Sequence, residues 1–381
     1  MLKTIFLITP VYISLFWAIA LNGNKKNHTV PRSYLSKIML LSLLCFFSHF
    51  LYFAGQKEVY IYFDIILQFA GFSVFPAYHV YFRLLTVDEK FSLKAHARYL
   101  IPSIVVAIIY AAGALLAPTA EYKAFLFDRT VFPDSSYLNF MRGYTTFLKI
   151  YFFVLIFYTY GANYLLLKRY GAKAEQYYSD MNDGKYYNGK LLNYSILFMC
   201  MGALVAFAFG RFSLFFHDKI VYLLWTIFSI TIYIMGYMGF KQKRMNPTFD
   251  LEREENNNLQ DGEVLNEAQE LILKKILVLF DKNKIYLNPQ LNIMEIVREV
   301  GTNRSYISAL INQKYNQNFC TFVNSYRIAE LERTMIENPN SEMDKLAFTC
   351  GFGSISSMKR SISLKTGLSV TKWRRQNIVE E

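Results

Sequence analysis

The chain has 381 residues, of which 53% are hydrophobic and 17% aromatic, with a formal net charge of +12. That apolar share exceeds the range of ordinary soluble domains and calls for a membrane portion. The positive balance suits polyanionic partners, either anionic lipid head groups or nucleic acid.

Cys45, Cys200, Cys320 and Cys350 are scattered without CxxC spacing, and the five histidines form no HExxH or HxH pattern. A disulfide framework or a metal site is not expected. No phosphate-cradling glycine loop and no nucleophile elbow occurs, so the expectation is a non-enzyme with no cofactor and no metal.

In chain order, apolar runs near residues 4–22, 34–55, 59–82, 99–117, 144–167, 191–212 and 220–240 each have the roughly 20 residues needed to cross ~30 Å of hydrocarbon. Tyrosine and phenylalanine crowd their ends, as in interfacial aromatic belts. With the N-terminus outside, sixteen Lys and Arg residues fall after the first, third, fifth and seventh spans and seven fall on the other side. The bias of basic residues toward cytoplasmic loops therefore predicts N-terminus out and C-terminus in. A cleaved signal peptide over residues 1–20, ending in AIA, is the rival reading. It leaves six spans and returns the C-terminal region to the outside, so seven spans are preferred.

Beyond Phe240 a basic stop, KQKRMNP, leads into DLEREENNNLQDGE, which is acidic and nearly free of apolar residues. The predicted organisation is a seven-span membrane domain over 1–240, a juxtamembrane linker over 241–263 and a soluble helical domain over 264–381. In the last, residues 294–317 and 344–369 each read as a short amphipathic helix, a turn at Gly301 or Gly351, and a second helix. These are two helix-turn-helix units in an all-α chain.

Tyr306, Ile307, Leu310 and Ile311 mark the buried face of one second helix, and Ile355, Met358 and Ile362 that of the other. The faces left free are Arg304, Ser305, Ser308, Ala309 and Asn312 in the first unit, and Ser356, Ser357, Lys359, Arg360 and Ser363 in the second. Small side chains admit a helix to the major groove, arginine can hold guanine through two hydrogen bonds, and hydroxyls reach bases or phosphates. Between residues 353 and 375 stand Lys359, Arg360, Lys365, Lys372, Arg374 and Arg375 with no acidic residue, a pattern that suits phosphate contact.

These residues resemble the AraC/XylS family of bacterial transcription regulators over roughly Ile285 to Arg375. The motifs are the Tyr-Leu-Asn-Pro opening at 286–289, GTNRSYIS at 301–308, Tyr326 and Arg327 in a central helix, Gly351 and Phe352 with a serine turn, Arg360, and the closing Gly367 and Trp373-Arg374. The family's arginine on the first recognition helix corresponds to Ala309, its glycine after that unit to Asn316, its central-helix alanine to Leu331 and its late proline to Val370. Asn316 tolerates a left-handed backbone, and Ala309 removes a guanine contact. The resemblance implies two readers held by a central helix at about 320–337, entering successive major-groove segments ~34 Å apart, with Arg360 as a base or phosphate contact.

The combined expectation is a membrane-anchored regulator of transcription in a bacterial cytoplasmic membrane, coupling a sensed signal to promoter binding. A seven-span transporter or membrane enzyme with a regulatory tail is the alternative. Expected partners are double-stranded DNA, the lipid bilayer, an unidentified signal and a second copy of the chain, with RNA polymerase implied by the resemblance. His49, Asp64 and Lys149 are candidate sensing residues, each placed ~9 Å below the outer surface at 1.5 Å per residue. Ionisable groups at that depth are costly unless paired or facing a wet cavity. Either they line a pocket, or His49 and Asp64 staple two helices while Lys149 snorkels.

Single reporter fusions after residues 130 and 250 test the orientation. An outside signal at the first and an inside signal at the second are expected; a cytoplasmic signal at 130 overturns the seven-span arrangement.

Overall fold

The computed structural model describes residues 2–23, 29–88, 90–127, 135–175, 178–179, 185–209, 218–241, 267–338 and 341–379. Among them the fold is all-α, with fifteen helices. The expected linker at 241–263 and helix start at Val264 fall almost wholly outside these residues. The chain divides into two compact units: Met1–Leu167 with Asn188–Pro247, and Lys168–Tyr187 with Thr248–Glu381.

The first unit is built from α1 (Leu2–Asn22), α2 (Val30–Phe53), α3 (Lys57–Thr86), α4 (Leu93–Leu116), the short α5 (Thr119–Phe127), α6 (Ser136–Glu175) as far as Leu167, α7 (Lys185–Phe209) from Asn188, and α8 (Asp218–Lys241). All but α5 are long and apolar enough to cross a membrane, making seven among the described residues. Each overlaps one of the expected runs, with ends that differ by several residues. The largest difference is α6, whose 40 residues extend the run at 144–167 in both directions. The nine-residue α5 has no counterpart in the sequence reading and is too short to span.

Helix α1 packs against α2 and α8, α2 against α3, and α3 against α4. Leu35, Ile38, Tyr78, Phe82, Trp225 and Met235 lie in the core, while Tyr62, Ile108, Leu116 and Ile150 are exposed on the exterior. Apolar side chains on both sides of the same helices suit a hydrocarbon solvent better than water. Close packing rests on small residues: a Cβ at Gly236 would lie 2.2 Å from the Trp17 ring, so α8 meets α1 nearly backbone to side chain.

The second unit contains α9 (Glu267–Asp281), a 3-10 turn (Ile285–Leu287), α10 (Ile293–Val300), α11 (Arg304–Tyr315), α12 (Phe319–Glu337), α13 (Met343–Thr349), α14 (Ile355–Thr366) and α15 (Val370–Val379). Its local rules are those of capped helices. Asn292, Asn303, Asn318 and Ser354 each accept a backbone N–H of the helix they precede, satisfying donors that have no partner within the helix. Asn316 closes α11 in the left-handed region at φ 53°, the conformation expected of the residue replacing the family's glycine.

The two helix pairs, α10–α11 and α13–α14, turn at Gly301 (φ 76°) and Gly351 (φ 83°). One residue, Thr302, separates the first glycine from its cap Asn303, whereas Phe352 and Gly353 separate the second from Ser354. The second turn is therefore one residue longer.

The glycines differ in surroundings. A Cβ at Gly301 meets nothing within 4 Å, but one at Gly351 would lie 2.4 Å from the Tyr286 carbonyl oxygen. Gly301→Ala should cost about 1–2 kcal/mol for the left-handed backbone alone, and Gly351→Ala distinctly more, measured as the opening free energy of α14 and α11 amides by native-state hydrogen exchange. Equal costs at the two positions would contradict the close approach.

Candidate nucleic-acid interface

Helix α12 serves two cores in succession. Phe319, Phe322 and Val323 pack with Phe280, Ile296, Ile307 and Leu310, and Ile328, Leu331 and Met335 pack with Leu346, Met358, Ile362 and Trp373. Arg327 stands at the changeover and is fully buried. Its guanidinium donates to the carbonyls of Tyr286 (2.8 Å) and Asn288 (2.8 Å), to the Ser179 carbonyl (3.2 Å) and hydroxyl (2.9 Å), and to Asn324 Oδ1 (3.3 Å). A buried charge is tolerated when its donors are satisfied in this way. The Tyr-Leu-Asn-Pro opening is thus gripped by Arg327 and closely approached by Gly351, both at the Tyr286 carbonyl. Glu330, one turn on, accepts from Lys284 (3.2 Å) and the Tyr286 hydroxyl (3.1 Å). Burial opposes ionisation of Glu330, but these donors and Arg333 outweigh it and lower its pKa.

The sequence reading missed the part played by the segment 168–187. Within the second unit Tyr178 bridges to Asn292, the Ser179 N–H donates to the Leu291 carbonyl at 3.2 Å, and Cys320 Sγ donates to the Ser179 carbonyl at 3.4 Å. Ser179 is fully buried. Glu175 accepts from Asn318 Nδ2 at 3.4 Å and lies 3.9 Å from the Arg360 guanidinium. Arg327 itself carried a legible signal, since it falls on the stripe set by Val323, Ile328 and Leu331. Nothing in the local sequence QYYSD announces a partner 148 residues away.

On α11, Ile307, Leu310 and Ile311 are buried, which leaves Arg304, Ser305, Ser308 and Ala309 half-buried and Asn312 exposed. On α14, Met358 and Ile362 face the core, and Ser356, Lys359, Arg360 and Ser363 are exposed. Ser357 is a correction: it was placed on the free face but is buried at 5% exposure. It sits in the first turn, next to Met358, with its own N–H capped by Ser354 Oγ at 3.1 Å, so the capping turn draws it inward. Lys372 and Arg375 are exposed on α15 beside the buried anchor Trp373. Arg374 instead donates to the Ser341 carbonyl at 3.1 Å. The remaining serines and cations form a polar, acid-free surface on α14 and the start of α15.

The three residues singled out for sensing part company. Asp64 is fully buried and accepts hydrogen bonds from the hydroxyls of Tyr60 (2.7 Å), Tyr122 (3.0 Å) and Tyr110. His49 points Nδ1 at the Cys45 carbonyl (2.8 Å) and sets its ring edge-on to Trp225. His49 and Lys149 line one cavity of about 300 Å³, and Asp64 is not among its lining residues.

Residues 296–376 match a family model described as a helix-turn-helix domain. The match starts within α10 and ends within α15, taking in both helix pairs. No curated protein and no solved structure matches the chain. The C-terminal unit therefore carries an AraC-type helix-turn-helix domain, which points to DNA binding and the regulation of transcription.

Arg327→Met should strip the buried Tyr286 carbonyl of its guanidinium donor, release Ser179, and cost about 3 kcal/mol. Hydrogen exchange should show the loss in α11 and α14 together. Loss confined to one helix pair would show that Arg327 does not link the two cores.

Proposed function

We propose that the chain is a membrane-anchored, sequence-specific DNA-binding regulator, in which a seven-helix membrane domain senses a signal and a cytoplasmic C-terminal unit reads a promoter. The supporting observation is the exposed surface of Ser356, Lys359, Arg360, Ser363 and Lys372 within the helix-turn-helix match. Such a face can meet phosphates through its cations and base edges through Arg360. Arg304, Ser305, Ser308 and Asn312 serve the same purpose on α11, with less reach because all but Asn312 are half-buried. Two readers on one face of the duplex, a second copy of the chain bound alongside, and contact with RNA polymerase complete the reading.

Coupling has a physical candidate. The segment 168–187 takes in the end of α6, the start of α7 and the connection between them, and within the second unit it supplies Ser179 to Arg327 and Glu175 to Arg360. Arg360 cannot hold Glu175 and a DNA phosphate or base at once, so withdrawal of the segment favours DNA. The ion pair is half-exposed and is worth no more than about 1 kcal/mol. It biases binding and does not lock it.

Gel-shift titration of the full chain in nanodiscs against its promoter tests this. Affinity should fall steeply with salt as counterions are released. Arg360→Ala should weaken binding by about 1–3 kcal/mol and relax preference at one base pair, while Lys372→Ala weakens all sequences about equally. Glu175→Gln should tighten binding up to about fivefold in the wild type and leave Arg360→Ala unchanged. Wild-type affinity and footprint for Arg360→Ala would reject its role.

A further inference from the structure

The cavity in the first unit is lined from five helices: α2, α3, α6, α7 and α8. Its wall is aromatic, with Phe46, Phe72, Phe152 and Phe228 prominent, and it is interrupted by His49, Gln68 and Lys149. Gln68 shares a hydrogen bond with Asp64, and His49 is held by the Cys45 carbonyl. Lys149 is exposed, and among the described residues no ion pair engages it. An ammonium without a counter-charge in a membrane-spanning helix is costly, and an anion brought by a ligand removes that cost.

The remaining wall is of the opposite character, so the complementary molecule has one anionic end and an apolar body. A volume of about 300 Å³ is at the lower end of the ~300–1,000 Å³ typical of small-molecule sites. One chain fits that size better than the two of a membrane phospholipid.

We propose that this cavity binds a small single-chain amphiphile with a carboxylate head, the head paired with Lys149 and the chain laid along the aromatic wall. This ligand is the signal of the regulator, a role that rests on the function proposed above. Because five helices contribute lining, occupancy is coupled to their packing, and a ligand that prefers one arrangement shifts the bundle toward it.

Photolabelling tests the assignment in the full-length protein, held in phosphatidylcholine nanodiscs without DNA, with a diazirine-bearing dodecanoic acid as probe. Saturable labelling of α3 and α8 peptides is expected, displaced by dodecanoate but not by dodecanol or phosphatidylglycerol. Lys149→Gln should lower probe affinity about tenfold, the loss of one charge pair. A Cβ at Gly71 meets nothing within 4 Å and Gly71 lines the cavity, so Gly71→Leu should fill it and abolish labelling with thermal unfolding unchanged. Equal displacement by dodecanol, or labelling that survives both substitutions, would overturn the carboxylate site. Displacement by phosphatidylglycerol would overturn the single-chain assignment. Since no DNA is present, failure of promoter binding is read separately.

Discussion

The second unit depends on one buried guanidinium. Arg327 takes its acceptors from the turn before α10, from its own helix and from the distant Ser179, and sits where α12 passes from one apolar core to the next. A guanidinium is suited to this place because its donors form a rigid planar fork that stays charged. The Tyr286 carbonyl is the acceptor that depends most on it, since the Asn288 carbonyl also accepts the Leu291 N–H and the Ser179 carbonyl also accepts Cys320 Sγ. The 19 residues of α12 make an axis about 28 Å long, close to the ~34 Å repeat of the duplex. A stiff central helix fixed at its midpoint is what two groove-reading helices need if their spacing is to be constant.

The same guanidinium makes the segment 168–187 part of the reader. Ser179 is as buried as the core residues around it, yet it belongs in sequence to the connection between two long apolar helices. Glu175 brings a carboxylate to Arg360, on the surface otherwise free of acid. The contact through Arg327 is fully buried, and the one through Arg360 is half-exposed on the cationic face of α14. That division suits the proposed coupling, in which the Glu175 carboxylate and DNA compete for Arg360.

Much of this was legible in the sequence where the cause is local. The long apolar helices follow from runs of about 20 residues, and the helix pairs follow from periodicity and their turn glycines. The left-handed Asn316 follows from what that side chain tolerates. Ser357 was misplaced because periodicity describes a helix interior, while a first turn is governed by its cap. The Asp64 cage was hidden because Tyr110 and Tyr122 come from α4 and α5, 46 and 58 residues away, and α5 is too short to stand out. Ser179 was illegible for the same reason: a polar residue in a connection gives no local sign that a buried arginine needs it.

The central claim is that a chain held in a membrane reads specific DNA. It is tested most directly by crosslinking the full-length protein to DNA in its own cells, isolating the membrane fraction and sequencing the bound fragments. The expected result is a small set of promoter-proximal sites, each with two contacted segments about one helical turn apart, recovered with the membranes. Uniform coverage of the genome, or specific sites recovered only from the soluble fraction, would contradict it.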